Sequence, residues 1–187
     1  MSISCIDNII NKVEVKNGKQ LIVREAVADD AKNIIEYLNI VGGESDNLLF
    51  GAGEFRLTVE QEKEYIKNVN KQDNSLMLLG IIDNKIVSVA QINTPNRKRI
   101  NHNSEISISV KKEYWGLGIG SIVMEQLIKF AKDNATIKNI TLGVISYNHN
   151  AIKLYEKHGF EKTGVNKNFL NINGNYYDEI LMALYIN

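Results

Sequence analysis

The chain has 187 residues, with 22 Lys plus Arg balanced by 22 Asp plus Glu and a single cysteine. That length suits one domain with a sizeable core. The balance of charge leaves no field of one sign to hold a polyanion, so nucleic acid is not an expected partner. No run approaches the roughly 20 consecutive apolar residues of a membrane helix, and the polar leader, residues 1–19, lacks the apolar centre of a signal peptide. We therefore expect a cytoplasmic protein with no membrane partner. Cys5 is alone, which excludes an internal disulfide and a Cys-based metal cluster, and no neighbouring base is in place to activate it. No metal-ligand set is apparent.

The domain is expected over residues 20–187. Residues 21–25 form a short β-type run. A helix follows from Asp29 or Asp30, with Ile34, Ile35, Leu38 and Val41 on one face and Gly42-Gly43 as its stop. Residues 44–56 are irregular. Thr58, with Gln61 three positions on, reads as a capping box for a helix reaching Asn70. Two β runs, 76–82 and 86–92, meet at a hairpin turn through Asp83, Asn84 and Lys85. In residues 105–110 polar and apolar alternate, so Ile106, Ile108 and Val110 face a core while Glu105, Ser107 and Ser109 share the other face. After a glycine-rich turn, Ile122, Val123, Leu127, Ile128 and Ala131 recur at helical spacing. A strand at 140–145, a helix at 148–158 and a hairpin around Asn173-Gly174 complete the chain. This order indicates an α/β (α+β) domain, a mixed sheet with helices on both faces.

The turn Trp115-Gly116-Leu117-Gly118-Ile119-Gly120-Ser121 opens a helix. Its glycines let a ligand approach the main chain, and the first helical turn presents unpaired amides and the positive end of the dipole, an arrangement that binds phosphate. A nucleotide P-loop would need a lysine before Ser121, and a dinucleotide fingerprint would need glycine at Ser121 itself; neither pattern is met. A glycine turn that binds nothing is the remaining reading of these residues alone.

The same segment resembles the acetyl-CoA pyrophosphate loop of the GNAT superfamily, Q/R-x-x-G-x-G/A, with Trp115 in place of the leading Gln or Arg. Residues 148–160, NHNAIKLYEKHGF, resemble the second cofactor motif of that superfamily, N-x-x-A-x-x-L-Y-x-x-x-G-F, at every specified position. The resemblance spans residues 21 to the C-terminus. It implies a mostly antiparallel twisted sheet whose splayed central strands bind acetyl-CoA, and an N-acetyltransferase in which an amine attacks the thioester directly. It further implies cofactor contacts from Trp115 through Ser121, from Asn148, Asn150, Ala151 and Tyr155, and from the backbone of Ile108, Ser109 and Val110.

Taken by residue type, Tyr155 is a packing residue on a core-facing helix position. The resemblance makes it the acid near the cofactor sulfur. Full proton transfer from a phenol to a thiolate is uphill by roughly 2 kcal/mol, so a hydrogen bond to the developing thiolate is as useful as the proton. A lysine-like amine is mostly protonated at pH 7, at a cost of about 4 to 5 kcal/mol to the neutral form, so a base or a water chain is needed. Glu105 is the candidate base by resemblance; a solvated strand-end carboxylate is the other reading. His102 and His149 fit solvated positions better. Glu44, Asp46, Glu54 and Phe55 lie where the superfamily recognises its acceptor, which is implied to be an amino acid, a small amine or a protein N-terminus. The tail from Asn173 to Met182 resembles an ending found in enzymes for all three. A homodimer is compatible with the resemblance, and the alternative function is an acyl-CoA-binding regulatory domain without turnover.

Overall fold

The computed structural model describes residues 8–186; Cys5 and the start of the polar leader lie outside them. All eight strands share one sheet in the order β1-β2-β3-β4-β5-β6-β8-β7. The strands are β1 (Ile9–Glu14), β2 (Gln20–Glu25), β3 (Leu76–Ile82), β4 (Lys85–Asn93), β5 (Asn103–Val110), β6 (Asn139–Ile145), β7 (Glu161–Ile172) and β8 (Asn175–Tyr185). The helices are α1 (Ala31–Gly42), α2 (Val59–Asn70), α3 (Ile119–Asp133) and α4 (His149–Lys157). Every neighbouring pair is antiparallel except β5–β6. The expected fold class is the fold observed, a mixed, mostly antiparallel sheet between helices.

One expectation is corrected. Within the stretch read as a polar leader, residues 9–14 form the edge strand β1 and pair with β2. The alternation is visible in Ile9, Asn11 and Val13, which are half-buried, against exposed Ile10, Lys12 and Glu14. Val15, just beyond, is 3% exposed. With polar Asn11 at an inward position and a register shift beside it, the alternation is weaker in sequence than in space.

Two cores flank the sheet. On one face α1 and α2 cover Met77, Leu79 and Ile81; on the other α3 covers Leu76, Leu78, Ala90 and Ile106. Strand β3 is buried at every position because both faces are covered. The β3–β4 hairpin turns through Asp83 and Asn84, both at positive φ, the geometry that matches strand twist. Arg24 and Asp30, both buried, form a paired fork at 2.7 and 2.6 Å, and Asp30 also accepts the Val27 amide at 2.9 Å. This network fixes the passage from β2 into α1; removing one partner would strand the other charge. Among the described residues no helix is long and apolar enough to cross a membrane, and no group of three or more His, Cys, Asp or Glu is placed to hold a metal.

Candidate active site

The parallel pair β5–β6 is joined only at Asn103↔Asn139, Ser104↔Ile140 and Glu105↔Thr141. Beyond Glu105 both strands continue, to Val110 and Ile145, without further pairing. A wedge therefore opens in the middle of the sheet, bounded on one side by residues 106–110. Ile106, Ile108 and Val110 pack toward α3, so the alternation of a strand turns Ser107 and Ser109 to the α1–α2 face. Tyr37, buried on α1, donates to Ser109 Oγ at 3.1 Å, and Ser88 Oγ donates to the Ser109 carbonyl at 2.8 Å. Burial pushes the Tyr37 phenol up, well above its usual range. The strand edge at the wedge is thus held from both its neighbours.

The glycine turn lies at the open end of the wedge. Gly116 (φ 78°) and Gly118 (φ 91°) adopt the left-handed region, and a Cβ at either would meet open space; the glycines are there for backbone angle. Gly118 is the N-cap of α3, and its carbonyl accepts the Ile122 amide at 3.1 Å. By helix geometry the amides of Ile119, Gly120 and Ser121 then point outward as N-terminal donors. Gly120 has a different reason: a Cβ there would stand 3.3 Å from Leu154 of α4. Ser121 Oγ lies 2.9 Å from His158 Nε2. The two sequence motifs, nearly thirty residues apart at their near ends, are therefore packed against each other. Trp115 is 46% exposed, and its indole donates to the Val110 carbonyl at 2.6 Å. Where the superfamily pattern carries a polar side chain, this chain ties the turn to the end of β5.

Asn148 caps α4, its Oδ1 accepting the Ala151 amide at 3.2 Å. Ala151, Ile152 and Tyr155 pack against the core on the α3 face, and the Tyr155 ring sits 6.0 Å from that of Phe160. Burial pushes the Tyr155 phenol up to about 12. Asn150 and His149 are exposed. Glu105 is exposed at the closed end of the wedge, on the Ser107 side of the strand. Tyr155 and Glu105 thus belong to opposite faces of the sheet, and the wedge is the opening between those faces. His102 is half-buried, and its carbonyl accepts the Lys138 and Asn139 amides at the start of β6.

A cavity of about 280 Å³ lies between α1, α2 and the sheet, with Phe50, Phe55, Glu62, Gln91, Ser107 and Ser109 in its wall. Of the four acceptor-loop residues picked from sequence, Phe55 alone lines it. Glu44 accepts the Lys112 amide at 2.7 Å and Glu54 the Gly51 amide at 2.8 Å, so both carboxylates brace loops. The Asp46 carbonyl accepts the Tyr147 hydroxyl. Sequence reasoning missed Glu62, Gln91 and Tyr37. Glu62 had a signal: it shares the inward face of α2 with Ile66 and Val69 at helical spacing. The Gln91 amide donates to Tyr65 and Asn93.

Comparison with known proteins matches residues 46–160 to the family model described as the Acetyltransferase (GNAT) family. The L-amino acid N-acetyltransferase AaaT of Escherichia coli (strain K12) is 32% identical over 106 residues, which is 57% of this chain and 65% of that protein. The match thus spans less than two thirds of that relative. The crystal structure of an acetyltransferase of the GNAT family from Streptococcus pneumoniae is 30% identical, superposes with a TM-score of 0.87, and is covered to 99% by 89% of this chain. At 18% identity and a TM-score of 0.77, the fold also matches yncA from Salmonella typhimurium, described with its cofactor acetyl-CoA, over 89% of this chain and 94% of that one. With a wedge in its sheet, a glycine turn at the wedge's open end and a family model spanning both motifs, this chain belongs to the GNAT acetyltransferase family.

Proposed function

We propose that this protein transfers the acetyl group of acetyl-CoA to a primary amine by direct attack in a ternary complex. The observation that carries the reading is the wedge between β5 and β6, which runs from the donors at the start of α3 to the cavity under α2. Acetyl-CoA fits this arrangement by the chemistry of the groups present: its pyrophosphate suits three outward amides at a helix N-terminus that two left-handed glycines leave uncovered. It supplies a thioester whose carbonyl carbon accepts the amine nitrogen as the C–S bond breaks and the thiolate departs.

The residues of the chain do the rest. The β5 backbone from Ile108 to Val110 would hold the pantetheine arm along the wedge, and an amide there that faces away from β4 would stabilise negative charge developing on the thioester oxygen. Tyr155 gives a hydrogen bond to the leaving sulfur. With its phenol near 12, it remains protonated throughout the neutral range, and donating a hydrogen bond is favoured over releasing the proton. Glu105, at the closed end of the wedge, takes the amine proton directly or through water. The acceptor enters from the α1–α2 side, and the relatives' acceptors, an L-amino acid among them, support an amine as its class.

The test is amine-dependent thiol release from acetyl-CoA across amino acids, small amines and peptides. Tyr155→Phe and Glu105→Gln are each expected to lower the rate by roughly 10- to 100-fold while leaving acetyl-CoA affinity near that of the wild type. Acetyl-CoA binding with no release for any amine in the panel would replace the enzyme with an acyl-CoA-sensing domain.

A further inference from the structure

Glu62 belongs to neither cofactor motif, yet it is 2% exposed. One of its carboxylate oxygens is buried with no hydrogen-bond partner among the described residues. Buried polar atoms in folded proteins are ordinarily paired, and a carboxylate left bare works against folding. Burial alone pushes the Glu62 carboxyl pKa up. The side chain stands in the wall of the cavity that reaches Ser107 and Ser109 on the wedge strand. The rest of that wall is mostly apolar, with Leu48, Phe55 and Leu57 prominent, and contains no Lys or Arg.

We propose that Glu62 receives the ammonium group of the acceptor, and that the acceptor is a small primary amine carried on an apolar body. The inference rests on the acetyl-transfer reading and names its substrate class. A cation completes the bare carboxylate. The apolar wall takes a hydrocarbon body, and a volume below that of pockets for drug-sized ligands sets a small one. A free amino acid would bring its own carboxylate into a wall without a cation, so an amine lacking that group, or carrying it as an amide, is preferred.

The experiment titrates isoamylamine, leucinamide and leucine into the CoA-bound full chain by calorimetry, for the wild type and Glu62→Gln. We expect the two amines to bind the wild type at least about tenfold tighter than the variant, and leucinamide to bind at least about tenfold tighter than leucine. Acetyl-CoA affinity should be the same in both proteins. No amine binding to the wild type, equal binding to the variant, or leucine binding as well as leucinamide overturns the proposal. Should Glu62→Gln fail to fold, Leu48→Trp fills the cavity with Glu62 in place; it should abolish isoamylamine binding and keep CoA binding, and retained amine binding overturns the proposal. Thiol release read in parallel separates the two claims. Glu62-dependent binding without release removes the acetyl-transfer reading alone, whereas release with a KM unmoved by Glu62→Gln removes the Glu62 site alone.

Discussion

At Tyr155 burial opposes ionisation, which ties the proposed hydrogen-bond donor to a measurable stability effect. Its folded pKa of about 12 exceeds the unfolded value near 10. The resulting stability is fully present below about pH 10 and is lost as pH rises toward 12. Tyr37 shifts in the same direction, so alkaline destabilisation is shared between them. We expect the denaturant stability of Tyr155→Phe to fall less than that of the wild type between about pH 9 and 11, by roughly 1 kcal/mol at the upper end. Equal slopes would place the phenol in solvent. Gly118→Ala puts a Cβ on a residue at φ 91°, with space around it but the wrong backbone angle; about 1 kcal/mol or more of stability should be lost, with weaker acetyl-CoA binding by calorimetry. Single residues were legible where a motif named them. Glu62 was not named by a motif; its helical spacing with Ile66 and Val69 marks the inward face of α2, but only the seating of α2 on β3 buries its carboxylate there.

At the scale of elements, each motif is a helix start, and its stability is local. Asn148→Ala removes the side-chain cap of α4 and should cost about 1 kcal/mol in denaturant unfolding. The consequence reaches further, since Leu154 sits against Gly120 and His158 against Ser121; loosening α4 should also weaken acetyl-CoA binding. Gly143→Ala on β6 tests a different contact. A Cβ there would lie 2.0 Å from a carboxylate oxygen of Glu179 on β8, while Asn166 donates to the other oxygen at 2.8 Å. The variant should unfold at a lower temperature, and the double variant Gly143→Ala/Glu179→Ala should recover part of the loss. Apart from β1, the helices and strands were readable from their apolar patterning, caps and turn residues. The β5 alternation and the Thr58–Gln61 box appear in space as they do in sequence.

Over the whole molecule, β1 shows how far the sheet extends beyond what local pattern suggests. A chain beginning at Gln20 lacks β1 and Val15 and uncovers the edge of β2; its thermal midpoint should fall, consistent with at least about 2 kcal/mol of lost apolar burial. An unchanged midpoint would make residues 8–19 dispensable. The sequence by itself determined the order of the later elements, the helix caps, the positive-φ turns and the two motifs that name the family, because each depends on residues only a few positions apart. The tertiary structure alone decided where β5 and β6 part, that Glu44 and Glu54 brace loops, and that Glu62 faces a cavity. Those outcomes depend on which surfaces meet after long loops close, and burial leaves one Glu62 carboxylate oxygen without a partner among the described residues.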